Sequence, residues 1–222
     1  MTYTLGIHTG HDSGAALFQN QTMIAFCKEE RLTRVKNDGG KFELLSIDEV
    51  LRIAGISRGQ IDVVALSKTR VPLSVYSRST TPIKDRWKKI RGKNPGRFLA
   101  KVMQEAGEYD EEQVVDFAKL RVALGVRPNV QVVFSNHHYS HVLGAFKYTD
   151  WQDASLFISC DGSGDRMCHS VYYWNGTDLE CLLGDRSQWL DSSQRGGDSI
   201  GNAYAYATEA IGFRPNRHEG KI

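Results

Sequence analysis

Two short runs hold the side chains best suited to chemistry. Asn136-His137-His138-Tyr139-Ser140-His141 places imidazoles at positions 137 and 141. In a helix that spacing brings both rings to one face within about 6 Å of each other, near enough to share one cation. Ser159-Cys160-Asp161-Gly162-Ser163-Gly164-Asp165 follows, with a carboxylate and a glycine-rich turn at the end of an apolar run. Together the two runs predict a metal site beside a phosphate site. A histidine pair of this spacing also occurs on solvated helix faces and at core edges, so the pair alone does not decide. Zinc proteases share the spacing but need a glutamate directly after the first histidine as base. His138 stands there, which excludes the protease reading.

The second run has an earlier echo. Gly10-His11-Asp12-Ser13-Gly14 and Asp161-Gly162-Ser163-Gly164-Asp165 form a weak internal repeat, each predicted as a polar turn between strands. Backbone N–H groups in such a turn grip phosphate oxygens, glycine allows close approach and serine adds a donor. One such loop is more often an ordinary hairpin. Two at corresponding places favour nucleotide binding.

The elements that must position these runs follow from side-chain periodicity. Thr2–His8, Gly14–Gln19 and Thr22–Lys28 are expected as strands of an antiparallel meander, with turns at 9–13 and at Asn20-Gln21. Phe42–Ala54 carries Leu44, Leu45, Ile47, Val50, Leu51 and Ala54 at helical spacing and stops at Gly55. Ile61–Ser67 is short and β-branched, a buried strand. A helix over Tyr109–Leu124 ends at Gly125-Val126-Arg127-Pro128, and a strand over Val130–Ser135 delivers the histidines to a helix over His138–Phe146. Ala154–Cys160 and His169–Trp174 are expected to form a hairpin around an Asp161–Asp165 turn. The order β-β-β-α-β suggests a mixed sheet flanked by helices.

Composition sets the remaining bounds. The 222 residues suffice for one large domain or two small ones. A formal net charge of +2 is too weak a bias to imply nucleic acid, a membrane or acidic partners. Cys27, Cys160, Cys168 and Cys181 form no CxxC pair, the first residues lack a basic and apolar leader, and no apolar run reaches membrane-spanning length. A reducing, cytoplasmic setting is expected, in which the Asn20-Gln21-Thr22 and Asn175-Gly176-Thr177 sequons stay unmodified. Ser74–Lys101 stands out as basic, with Arg78, Lys84, Arg86, Lys88, Lys89, Arg91, Lys93, Arg97 and Lys101 against Asp85. It is read as an insertion of unassigned purpose rather than a nucleic-acid contact.

An ordered set of motifs resembles the O-carbamoyltransferases, the family of nodulation protein U and of the hydroxymethylcephem and tobramycin carbamoyltransferases. The set comprises Gly6-Ile7-His8 with Gly10 to Leu17, Glu29-Glu30-Arg31-Leu32-Thr33-Arg34-Val35-Lys36, Ala54-Gly55-Ile56 with Ile61-Asp62, and Asn136 to His141. It continues with Asp161 to Asp165 and the Ser199-Ile200-Gly201, Thr208-Glu209 and Ile211-Gly212-Phe213 segments. It runs over nearly the whole chain except the basic insertion.

The resemblance implies an α/β, actin/hexokinase-like (ribonuclease H-like) fold of mixed sheets with flanking helices. Residues 1–150 would be a first lobe, with the insertion at about 74–101, and 151–222 the beginning of a second lobe. The family continues past a Glu-Gly-Lys segment such as Glu219-Gly220-Lys221, so a fragment lacking most of lobe two and a C-terminal activating domain is expected. That domain would make carbamoyl adenylate from carbamoyl phosphate and ATP. The first domain would pass the carbamoyl group to a hydroxyl of a small-molecule or glycoside acceptor.

Carried over by position, His137, His141 and Asp161 are the implied metal ligands, with a further carboxylate coming from the lobe that is lacking. Two imidazoles and a carboxylate suit Fe(II), preferred here, or Zn(II), and spacing does not choose between them. His11 and Asp12 lie where the family meets the adenylate. His11 is the candidate general base, since an imidazole with an intrinsic pKa of about 6.5 moves protons near neutrality. A simple turn cap is its alternative role. Ser13, Gly14, Gly162, Ser163 and Gly164 are the candidate phosphate contacts. Arg31 and Arg34 are candidate partners of a phosphate or carbamoyl oxygen, with ion pairs to Glu29 or Glu30 as the simpler alternative. A non-catalytic nucleotide-binding or regulatory module of the same fold is the competing class. A sugar kinase or ATPase would have no use for the paired histidines.

Overall fold

The computed structural model describes residues 1–39, 42, 44–67, 75, 115–149, 153–164, 167–184, 199–215 and 217–221. The basic stretch at 74–101 lies outside them apart from Val75, as do residues 109–114 of the expected helix. The chain divides into two compact units, Met1–Ser135 and Asn136–Ile222.

In the first unit the alternating apolar residues form the meander, with β1 at Tyr3–His8, β2 at Gly14–Gln19 and β3 at Thr22–Lys28. A short helix α1 (Glu29–Thr33) leads to α2 (Leu45–Ala54). Then come β4 (Val63–Leu66), α3 (Phe117–Leu124) and β5 (Gln131–Phe134). The five strands form one sheet in the order β3-β2-β1-β4-β5. β1 pairs antiparallel with β2 and β2 with β3, while β4 and β5 add in parallel on the other side of β1. An antiparallel meander extended by parallel strands beside its first member is the sheet of the actin/hexokinase-like class.

Strand alternation sends Leu5, Ile7, Ala15, Leu17, Val64 and Leu66 into one core. α2 adds Ile47, Val50 and Leu51 to it, at the i, i+3, i+4 spacing of one helix face. That helix ends where Gly55 takes the left-handed conformation (φ 67°), so that its N–H and that of Ile56 satisfy carbonyls of the last turn.

In the second unit, α4 (His137–Lys147) is followed by β6 (Ser155–Gly164), β7 (Met167–Trp174) and β8 (Leu179–Leu183), then α5 (Ile200–Ala210). β6, β7 and β8 make a three-stranded antiparallel sheet in that order. α4 lays Val142, Tyr139 and Phe146 against Phe157, Tyr172 and Trp174. Among the described residues no helix is long and apolar enough to cross a membrane.

Candidate metal centre

The geometry of the second unit starts at a helix cap. Asn136 Oδ1 accepts the backbone N–H groups of His138 at 2.9 Å and Tyr139 at 3.1 Å, two donors that a helix start leaves without intrahelical partners. The helix it starts carries His137 and His141 one turn apart. Their rings stand perpendicular with centroids 4.6 Å apart, and their Nε2 atoms are 3.2 Å apart. Asp161 meets them from β6, its Oδ2 lying 2.5 Å from His137 Nε2 and 3.7 Å from His141 Nε2. The other carboxylate oxygen, Oδ1, accepts the Gly162 N–H at 2.5 Å, which fixes the plane of the group.

Hydrogen bonding to His137, then to His141, holds the Asp161 carboxyl well below the usual carboxylate range, although burial opposes them. An ionised oxygen therefore faces two imidazole nitrogens. A tetrahedral ion with bonds of about 2.0–2.1 Å sets its ligand atoms roughly 3.3 Å apart. The 3.2 and 3.7 Å edges bracket that separation. The shorter His137–Asp161 edge is a hydrogen bond, which a cation would replace. This donor set fits a divalent metal of borderline softness. His137 is buried and His141 exposed, so the centre meets solvent on the His141 side.

Of the expected Asp161–Asp165 turn, the described residues are strand, and Asp165 lies outside them. Asp161–Gly164 continue β6, and the register with β7 shifts between Cys160 and Gly164. The cause is visible at Gly162. A Cβ at Gly201, in the first turn of α5, would collide with the Gly162 backbone. Asn202 Nδ2 donates to the Gly162 carbonyl at 3.4 Å, and the Ser199 hydroxyl accepts the Asn202 N–H at 3.1 Å to cap the helix. Gly162 is thus held extended by α5, while Ser163 and Gly164 are the last residues of the strand.

The first loop lies in the other unit and is described by itself. His11 is exposed and its Nδ1 lies 3.0 Å from Asp12 Oδ2; Lys28 Nζ approaches Asp12 Oδ1 at 3.4 Å. Asp12 adopts the left-handed conformation at φ 57°, which aspartate tolerates better than most residues. The His11 hydrogen bond, and secondarily Lys28, hold its carboxyl below the ordinary range, with burial opposing.

Ser13 is fully buried, and both its N–H and its hydroxyl are given to the Asp38 carbonyl, at 3.0 and 2.9 Å. Gly14 is needed for close approach, because a Cβ there would sit 2.7 Å from the Cys27 carbonyl oxygen. Arg31 is mostly exposed with its Nε 4.0 Å from Glu30 Oε1. Arg34 caps α1 in the left-handed conformation, φ 61°.

Two side chains have roles that their sequence context does not show. Glu29 is buried and its two oxygens accept the Leu45 and Ser46 N–H groups at 3.0 and 2.9 Å, capping α2 from a distance in sequence. His138, next to His137 and about 100° around the helix from it, is fully buried in the second unit. No local motif announces either role.

A family model described as the N-terminus of carbamoyltransferases matches residues 3–222. The chain belongs to this family. Among its relatives, an uncharacterised protein of Methanocaldococcus jannaschii is 28% identical over 218 residues, covering 98% of this chain and 32% of that protein. The nodulation protein NolNO of Sinorhizobium fredii is 27% identical over 212 residues, covering 91% of this chain and 26% of NolNO. The chain thus spans about a third or less of the length of these relatives, 32% and 26%. Among solved structures, YeaZ from Pseudomonas aeruginosa aligns over 83% of this chain and 66% of its own, with a TM-score of 0.39 and 13% identity.

Proposed function

We propose that this chain is the N-terminal part of an enzyme that moves a carbamoyl group from carbamoyl adenylate to the hydroxyl of a small-molecule or glycoside acceptor. The donor would be made from carbamoyl phosphate and ATP by a further domain of the full-length protein. The observation that carries this reading is the convergence of His137, His141 and Asp161 within a member of the carbamoyltransferase family. Bound there, Fe(II) or Zn(II) would supply Lewis-acid polarisation and neutralise phosphate charge. Asp161 brings the countercharge, and the Gly162 N–H orients it.

In the first loop, His11 donates from Nδ1 to Asp12, which leaves Nε2 to accept the proton of the acceptor hydroxyl. The freed oxygen attacks the carbamoyl carbon, and AMP leaves with the electron pair of the broken C–O bond. Ser13 and Gly14 shape this loop. Ser163 and Gly164 would supply phosphate contacts beside Gly162, whose own N–H is given to Asp161, and Arg31 and Arg34 would supply charge to a phosphate or carbamoyl oxygen.

The test uses the full-length protein. Elemental analysis is expected to find one iron or zinc per chain, lost in His137→Ala and in His141→Ala. Carbamoyl phosphate and ATP are expected to yield AMP and a carbamoylated product from a panel of hydroxylated acceptors. Metal retained in both variants, or no consumption of carbamoyl phosphate, would overturn the proposal.

A further inference from the structure

His138 belongs neither to the ligand set nor to the phosphate loops, yet its imidazole is the most completely enclosed polar ring in the second unit among the described residues. Its Nδ1 lies 2.9 Å from Ser159 Oγ and its Nε2 2.9 Å from the Met167 carbonyl oxygen. A carbonyl only accepts, so Nε2 carries the proton and Nδ1 accepts from the Ser159 hydroxyl. One tautomer of the neutral ring satisfies both partners. Burial keeps the ring below the usual imidazole range, against the opposing pull of the Met167 carbonyl.

The partners matter for where they lie. Ser159 is two residues before Asp161 on β6, and Met167 opens β7. A single side chain therefore ties the first turn of α4 to both strands of the hairpin that carries the carboxylate. Apart from the approach of His137 and His141 to Asp161, α4 also meets this sheet through the apolar Val142, Tyr139 and Phe146. Apolar packing is non-directional and tolerates small slides, whereas ligand atoms must be placed within about 0.2 Å. Each residue of misregister would turn a ligand about 100° away from the carboxylate.

We infer that His138 is a positioning residue, whose two hydrogen bonds set the rotation and axial placement of α4 so that His137 and His141 face Asp161. The inference rests on the metal reading for its consequence, but the geometry it describes exists in the metal-free protein. Removing the Ser159 hydroxyl frees Nδ1. Replacing His138 by phenylalanine keeps the ring and removes both bonds.

The experiment titrates the full-length, metal-stripped protein with Co(II) and follows its visible ligand-field bands. Ser159→Ala and His138→Phe are expected to weaken Co(II) binding on the order of 10- to 100-fold and to alter the band intensities. His138→Gln, which keeps a donor and an acceptor, is expected to recover part of the loss. In parallel, ring ¹⁵N shifts of His137 in the metal-free protein report its bond to Asp161. They are expected to move in Ser159→Ala, a variant mild enough to fold should His138→Phe fail to. Wild-type Co(II) affinity and bands, with unmoved His137 shifts, in folded Ser159→Ala would overturn the inference. A wild-type protein that binds no Co(II) sinks the metal reading instead, and the His137 shifts alone then decide for or against positioning.

Discussion

At the scale of single residues, the first loop makes a prediction that does not depend on metal. Asp12 accepts from His11 and from Lys28, and its carboxyl is held below the ordinary range in the folded chain. A depressed folded pKa means the contribution to stability is fully present above the unfolded value of about 3.9 and is lost as pH falls through the folded one. Denaturation of Asp12→Asn and the wild type should therefore show a gap near neutrality that closes only in strong acid. A gap that stays constant into strong acid would mean that Asp12 is not the titrating partner. If His11 is the base, the same substitution removes the acceptor that orients its ring. Carbamoyl transfer by the full-length protein should then fall about 100-fold, with the acceptor KM little changed. An unchanged kcat would return His11 to the role of a turn cap.

At the scale of elements, Glu29 shows how a fold borrows a cap. α2 has no side-chain cap of its own, since Leu44 stands at its N-cap position, and the buried Glu29 carboxylate takes its first N–H groups instead. Glu29→Gln turns one acceptor into a donor facing N–H groups and removes a charge from the positive end of the helix. A loss of about 1–2 kcal/mol in chemical denaturation is expected, and no loss would mean the cap is ornamental.

Glu29 was legible as part of a family motif but not as a cap, because its partners lie in another element. The strands read well from alternation, and β2 and β3 have the expected limits, Gly14–Gln19 and Thr22–Lys28. β8 (Leu179–Leu183) was missed, being five residues of mixed polarity. α5 (Ile200–Ala210) was missed because its Ala and Tyr residues alternate with a period of two rather than forming an apolar stripe. The approach of that unseen helix is also why Asp161–Gly164 is strand and not turn. The proximity of His137 and His141 was legible, since helical spacing puts both on one face without help from the rest of the chain, whereas Asp161 came from the resemblance alone.

At the scale of the whole molecule, the two units differ in how much holds them together. The first packs a continuous core from its sheet, α2 and α3, whereas the second, among the described residues, centres on Val142, Phe157 and Tyr172 with partly buried neighbours. A small core leaves little margin, so a cation joining α4 to β6 should contribute a large share of the second unit's stability. A metal present at 100 times its Kd adds about 2.7 kcal/mol to the state that binds it. Hydrogen exchange on the full-length protein, with Zn(II) and after chelation, should therefore show protection gained by amides of α4, β6 and β7. Amides of β1–β5 are expected to change little, because His137, His141 and Asp161 all belong to the second unit. Asp161→Asn should abolish the gain, and, because it removes the ionised acceptor of His137, should also lower protection of α4 and β6 in the chelated protein. Protection spread evenly over both units, or surviving in Asp161→Asn, would place the cation somewhere other than between these three side chains.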